Sequence, residues 1–591
     1  MTIPERTTQD WPIPKLDFVE ALRNVNKWEA SNTTARVIRV KVFRNYSAEF
    51  IEPFLKHYFA TRGMRCEIDF GGFDAFQQEI IEASDLNSYN LILLSLTGDA
   101  LIDGRHRGSS PEEAIAKISG LIEHIETKTA ASVVLNTLIR PLLDEGGASF
   151  SLQPTSQTHR VDSYNRQLRT FVTKKSPRCA LVDWERIVML TGVEAAFDRR
   201  LAYTASAPFR HAFLNLYARE IHRIEGALSG RTKKCLVLDC DNTLWGGIVG
   251  EVGVEGIDLD PNEYPGKAYY DFQRAVLRLA DQGIMIALCS KNNPEDVESI
   301  LDNHPHCLIK RSHLVASRVN WRDKEVNLRE LVEDLNIGLD AVVFVDDNPM
   351  ECARIQALLT DVTVRQVPER LHDLPVLLDQ EGLFDKIGVT KEDFARTAMY
   401  QKEEQRREAA KLFSTAEEFL ASLEIRASIR MAKDHELSRV AQLTQKTNQF
   451  NLTTRKYSEA EIRDLAGRED CAVYALSARD RFGDLGLTGV LIAKRADATA
   501  VIDTLLMSCR VLGRRLELQF VTECLRQLIE RWRVGRWEAE YVRTEKNRQV
   551  VNFWDQFGFA PVAKDPDRIL YQARTASLTL HPTSFVALEP A

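Results

Sequence analysis

Six side chains in four separate stretches of this sequence have the types and spacing to do chemistry. Lys234 to Gly247, KCLVLDCDNTLWGG, is an apolar run that ends in two carboxylates, Asp239 and Asp241. The run from Cys235 to Leu238 is flanked by turn formers, the pattern of a central parallel strand. Parallel strands present ligand sites at their carboxyl ends. Two positions apart on a strand, the two acids point to one side. Carboxylates that close repel unless a cation lies between them. Mg2+ suits that place, because it takes few protein carboxylates and completes its shell with water and phosphate oxygen. IMIALCSKNN is a second apolar strand, ending at Ser290 and Lys291. NWRDKEVNLRE offers Lys324 just before a helix, and AVVFVDDNP is a strand ending at Asp346 and Asp347. Each polar group follows an apolar run or opens a helix, so all can meet along one sheet edge.

This order of Asp-x-Asp, Ser, Lys and Asp-Asp resembles the haloacid dehalogenase superfamily of phosphatases and phosphotransferases. The resemblance implies that Asp239 is the nucleophile, forming an aspartyl-phosphate, and that Asp241 is the general acid and base. It implies that Ser290 binds a phosphoryl oxygen and that Lys324 neutralises the transferring group. Asp239, Asp241, Asp346 and Asp347 are the implied Mg2+ ligands, Asp347 the more direct of the last two. Carboxylates are competent nucleophiles when a metal neutralises the phosphate charge. Between Asp241 and Ser290 there is room for a turn, a β-flap through WGGIVGEVGVEGIDL and one helix, Tyr269 to Gln282. Between Ser290 and Lys324 there is room for a helix and a strand. Neither gap holds a cap domain, and a capless site suits a large substrate or one covered by another domain. Cys240 lies between the two acids and has two readings. Strand alternation points it into the sheet as a small buried residue; beside Lys324 and Mg2+ it is also a candidate thiolate that accepts an acyl group.

At 591 residues the chain is too long for one core. Net charge is −8, against nucleic acid as the main partner. No stretch is long and apolar enough to span a bilayer. The polar start MTIPERTTQDWPIP lacks the apolar core of a signal peptide, and the ten cysteines show no CxxC pair or zinc spacing. A cytoplasmic protein with reduced thiols is expected.

The expected architecture is multidomain α/β. Residues 1–34 are a polar lead-in with a short helix near Leu16 to Trp28. Residues 35–230 alternate strand and helix (ARVIRVKVF, CEIDF, LILLSL, SVVLNTL, CALVDW), as in a parallel sheet covered on both faces, and close on a long helix over residues 200–230. This part vaguely resembles the SGNH-hydrolase fold. Ser47 stands at the nucleophile's place without Gly-Asp-Ser, Leu96 to Asp99 only faintly match Gly-x-Asn-Asp, and His211 lacks Asp-x-x-His. Acyl hydrolysis needs nucleophile, orienting partner and base together, so an inactive scaffold or docking domain is expected. Residues 231–375 are the phosphatase-like domain, and residues 376–425, rich in Lys, Glu and Arg, a helical linker.

Residues 426–591 show antiparallel strands, a helix from Leu516 to Arg533 and a last helix–turn–strand, NFWDQFGFAPV. That order resembles the Gcn5-related acetyltransferase fold, which holds a pantetheine pyrophosphate on a loop opening a helix. The matching positions are Arg510, Gly513 and Arg514, but Arg515 replaces the last small residue and Trp554 stands near the catalytic tyrosine. Coenzyme A acetyl transfer is not expected; Arg510, Arg514 and Arg515 have two readings, pantetheine or carrier docking and a solvated basic helix start. Finally, DCDNTLWGGIVGEVGVEGI, NWRDKEVNLRELVEDLNIGLDAVVFVDDNP and TNQFNLTTRKY resemble FkbH-type proteins of polyketide pathways across most of the chain. The resemblance implies removal of phosphate from 1,3-bisphosphoglycerate and passage of the glyceryl group to the phosphopantetheine thiol of an acyl carrier protein. Two other readings stay open: a capless phosphatase on a phosphoprotein or small phosphate ester, and a non-catalytic scaffold that holds a carrier.

Overall fold

A computed structural model describes residues 16–98, 101–102, 109–142, 153–175, 178–386, 412–447, 449–508, 511–544, 547–582 and 584–589, with 402, 406 and 409. The chain divides into two compact units near residue 394, with residues 314–316 and 329–338 grouped with the second.

The first unit contains two parallel sheets. In the first sheet, β1 (Arg36–Arg44), β2 (Met64–Phe73), β3 (Leu91–Ser95), β4 (Ser132–Asn136) and β5 (Cys179–Val182) lie in the order β2-β1-β3-β4-β5. β3 and β4 are almost wholly buried, as the continuous apolar runs LILLS and SVVLN require when helices cover both faces. The helices start on conventional signals. Asp17 accepts from Glu20 N at 2.8 Å, and Ser110 forms a reciprocal capping box with Glu113. The long helix expected over 200–230 is instead two. Arg199–Ala205 stops at Ser206, which turns left-handed at φ 50°, and His211–Leu228 starts afresh beyond Pro208. The second helix packs Phe213 and Tyr217 against Trp184, with Phe209 stacked on Phe213 at 4.1 Å.

The second sheet holds β6 (Cys235–Leu238), β7 (Met285–Ser290), β8 (Leu314–Val319), β9 (Val342–Asp346) and β10 (Thr363–Gln366) in the order β10-β9-β6-β7-β8. β6 is central. Its Leu238 lies level with Leu288 of β7 and Val345 of β9. The residues that follow these three strands therefore share one edge. The expected β-flap after Asp241 is reduced to one antiparallel bridge, Gly246 to Asp258, enclosing a short helix, Val249–Val252. Gly246 permits that closure: a Cβ there would lie 2.9 Å from the Asp258 Cβ and 2.9 Å from the Tyr269 ring.

The second unit is built on a nine-stranded sheet: β11 (Ile425–Met431), β12 (Phe450–Asn451), β13 (Cys471–Asp480), β14 (Gly483–Ala496), β15 (Thr499–Met507), β16 (Arg536–Val542), β17 (Ala560–Lys564), β18 (Arg568–Arg574) and β19 (Val586–Leu588). Its pairings are antiparallel apart from β15 with β16 and β11 with β19. The helix Leu516–Trp532 packs Phe520, Leu525 and Leu528 into its core.

Within the first unit, Arg223 on the helix His211–Leu228 donates to both Asp385 oxygens at 2.9 and 3.1 Å, with Asp379 at 3.6 Å. Its guanidinium is buried. Arg223→Met removes the guanidinium from Asp385, while Asp379 keeps Arg186, and is expected to lower stability by about 2 kcal/mol. The midpoint of the first urea transition measures it.

Candidate active site

Asp239 leaves β6 at the sheet's carboxyl edge and is buried, 5% exposed. Lys324, the first residue of its helix, reaches back into the same place. Its Nζ donates to Asp239 Oδ1 at 2.7 Å and to Asp346 Oδ2 at 2.6 Å. Burial alone would lower the lysine's affinity for its proton, but Asp239 and Asp346 outweigh it and hold the ammonium above its ordinary range. Burial pushes Asp239 up despite Lys324, and pushes Asp346 up to about 6. The Ser290 hydroxyl lies beside Asp239 and favours its charged form. Asn348 N donates to Asp346 Oδ1 at 2.9 Å, so the turn after β9 fixes that carboxylate. Burial pushes half-buried Asp347 up, with Asp239 adding to it and Lys324 and the nearby Asn242 side chain opposing it. Asn242 sits at φ 51°, and its Oδ1 accepts from Gly247 N at 2.9 Å.

Ligand oxygens of Asp239, Asp346 and Asp347 all lie within 4.8 Å of one another. Three carboxylates and one ammonium leave a formal charge of −2. Hard oxygens with that surplus fit Mg2+. Asp241 does not join them, a correction to the metal set expected above. The turn after β6 rotates it away: Oδ1 accepts from Trp245 Nε1 at 2.9 Å and Val249 N at 3.2 Å, and Oδ2 from Asn292 Nδ2 at 2.9 Å. That geometry holds the Asp241 carboxylate in one orientation beside the three-carboxylate set. Trp245, Asn242 and Asn292 were missed in the sequence. Only the Asn-rich ends of the strands, DN and KNN, hinted at them.

Cys240 has a fully buried side chain, and burial with Asp239 alongside raises the thiol well above its ordinary range, which supports the first of its two readings, the small buried residue. Nine described cysteines are free and buried.

Among the described residues, the other candidates do not assemble a second site. Ser47 Oγ donates to Ala205 O at 2.6 Å, while His211 stacks on Phe18 at 4.6 Å. Asp99 lies outside the described residues, as does Arg510. Gly513 takes φ +77° with open space around its missing Cβ, so it serves the turn rather than a close approach. Arg514 is 6% exposed and donates to Asp480 Oδ2 at 3.2 Å. Arg406 grips the same carboxylate at 2.7 and 2.8 Å. Arg514 is thus a buried structural cation, a correction to its expected role in holding pantetheine.

The strand opening nearby is filled. β15 and β16 pair only from Thr499 with Arg536 to Ile502 with Ala539. Beyond that, β12 pairs with β15, and Leu452 bridges the two strands. Leu452 N donates to Leu505 O at 3.1 Å, and Leu452 O accepts from Val542 N at 2.7 Å. Diverging strands leave backbone groups that need partners. Here the chain supplies them itself.

Residues 234–363 match the family of NLI interacting factor-like phosphatases. A search of the curated proteins finds no match. Among solved structures, the chain is similar to the N-terminal part of the protein BF1531 from Bacteroides fragilis, which contains a phosphatase domain complexed with Mg. Identity is 23% and the TM-score 0.55, over 63% of this chain and 99% of that one. The ribosomal-protein-S18-alanine N-acetyltransferase from Escherichia coli matches at 12% identity and TM-score 0.21, over 27% of this chain and 97% of its own. The Vibrio cholerae spermidine/spermine N-acetyltransferase SpeG, in mutant form, matches at 10% and 0.21, over 25% and 94%. Residues 234–363 are thus a phosphatase-like domain on a parallel sheet, within a multidomain α/β architecture. No helix among the described residues is long and apolar enough to cross a membrane.

Two outcomes follow. Mg2+ is expected to raise the melting temperature of the wild type and to leave Asp347→Asn unmoved in a thermal shift assay. Coenzyme A is expected to show no saturable binding by calorimetry, because the backbone groups between β15 and β16 are already paired.

Proposed function

We propose that the protein is an Mg2+-dependent phosphoryl-transfer enzyme of the phosphatase type, working through an aspartyl-phosphate on Asp239. The observation that carries this reading is the buried set of Asp239, Asp346 and Asp347 around the Lys324 ammonium at the carboxyl edge of the sheet. Asp239, Asp346 and Asp347 would hold Mg2+, which supplies charge neutralisation at the phosphoryl group when bound. Asp239 attacks phosphorus and the leaving oxygen departs. Asp241, oriented by Trp245 and Asn292, gives that oxygen a proton and then takes one from the incoming water. Lys324 and Ser290 balance the charge of the transferring group.

The finer reading is glyceryl loading, supported by the three FkbH-type segments and by the short insertions that leave the mouth uncapped. Two phosphates would then leave 1,3-bisphosphoglycerate. The thiol of an acyl carrier protein's phosphopantetheine displaces the acyl phosphate, forming the thioester. The phosphate ester is hydrolysed through Asp239. Because Cys240 is buried, the carrier thiol itself is the acceptor in this reading. Incubation with Mg2+, bisphosphoglycerate and holo-carrier, followed by intact mass, tests it. A glyceryl increment on the carrier is the expected result. Phosphate release without it supports a plain phosphatase acting on a phosphoprotein or small ester, and carrier binding with neither supports a scaffold.

Lys324→Met is expected to lower turnover of a phosphate ester by about 10²- to 10³-fold, the cost of losing a charge-stabilising donor. Cys240→Ser is expected to change it less than threefold. Steady-state phosphate release measures both.

A further inference from the structure

A single exposed aromatic needs no explanation by itself. Trp321 differs in being held still while its face is bare. It is 69% exposed, yet its indole N–H donates to Asn293 Oδ1 at 3.1 Å. The loop beneath it is pinned as well. Asn320 N donates to Ser290 O at 3.1 Å, Arg322 N to Asn320 Oδ1 at 3.0 Å, and Asn327 Nδ2 to Asn320 Oδ1 at 3.0 Å. Each anchor adjoins the phosphoryl site. The Ser290 hydroxyl lies beside Asp239, and Asn292, next to Asn293, donates to Asp241 Oδ2 at 2.9 Å. Lys324 follows three positions on from Trp321 in the sequence.

We infer that Trp321 is a specificity-determining residue, a fixed platform at the mouth for the organic group that carries the phosphate. An indole face favours aromatic rings and extended apolar chains, and a plate already ordered costs no further side-chain entropy on binding. The favoured substrate class is a phosphate on an aryl or extended apolar group. A compact triose phosphate would leave the plate bare, so the inference favours the small-phosphate-ester reading over glyceryl loading. This inference rests on the phosphoryl site proposed above.

The test is calorimetric binding, with Mg2+, of two probes sharing one phosphonate head: methylphosphonate and benzylphosphonate. Trp321→Ala is expected to weaken benzylphosphonate about tenfold and methylphosphonate less than twofold, as loss of one aromatic contact predicts. Trp321→Phe is expected to restore most of the difference. Equal weakening of both probes, or no change in either, would overturn the role of Trp321. If methylphosphonate binds the wild type but benzylphosphonate gains nothing, Trp321 alone is wrong. If neither probe binds the wild type, the phosphoryl site fails and the inference with it.

Discussion

One buried ammonium between two buried carboxylates sets the terms for the rest of the catalytic domain. Lys324 lies 2.7 Å from Asp239 and 2.6 Å from Asp346, with both acids almost out of water. Removing such groups from solvent is costly, and the cost is offset only when the geometry satisfies each charge. The sheet provides that geometry. β6 and β9 are level at Leu238 and Val345, so Asp239 and Asp346 emerge side by side. The helix beginning at Lys324 presents its first side chain to both. Asp347 then makes the charge formally −2, a deficit that a divalent cation meets.

Around this centre the chain separates orientation from charge. Asp241 is turned aside by Trp245, Val249 and Asn292, which keep it near the metal set but outside it. The reduced flap and the short segment between Ser290 and Lys324 leave the mouth uncapped. In the second unit, buried Asp480 accepts from Arg406 and Arg514, and Leu452 closes the gap between β15 and β16. These are features of a packed structural unit, with their polar groups already satisfied.

The catalytic sheet was legible in the sequence because each acid directly follows an apolar run. Strand ends are marked by that change of character, and parallel order brings the ends together. Less was legible where one residue's direction decides the outcome. Asp241 is two positions from Asp239, which predicts the same side on a strand, but β6 ends at Leu238 and the turn rotates it. Cys240 was ambiguous for the same reason, and its burial supports the reading as a small core residue. The helix break at Ser206 depended on one left-handed residue. The pairing of Asp480 with Arg406 and Arg514 joins positions far apart in sequence, and β12 is two residues long, too short for any periodicity to reveal it.

The central claim is that Asp239 is the atom that takes the phosphoryl group, inside an Mg2+ site completed by Asp346 and Asp347 with Lys324 beside it. A crystal structure with Mg2+ and beryllium trifluoride, which mimics a phosphoryl group on carboxylate, tests it most directly. The predicted result is a beryllofluoride bonded to the Asp239 carboxylate, with Mg2+ touching Asp239 and Asp347 and the Lys324 ammonium on a fluorine. A beryllofluoride on another side chain, or Mg2+ bound away from these carboxylates, would contradict it.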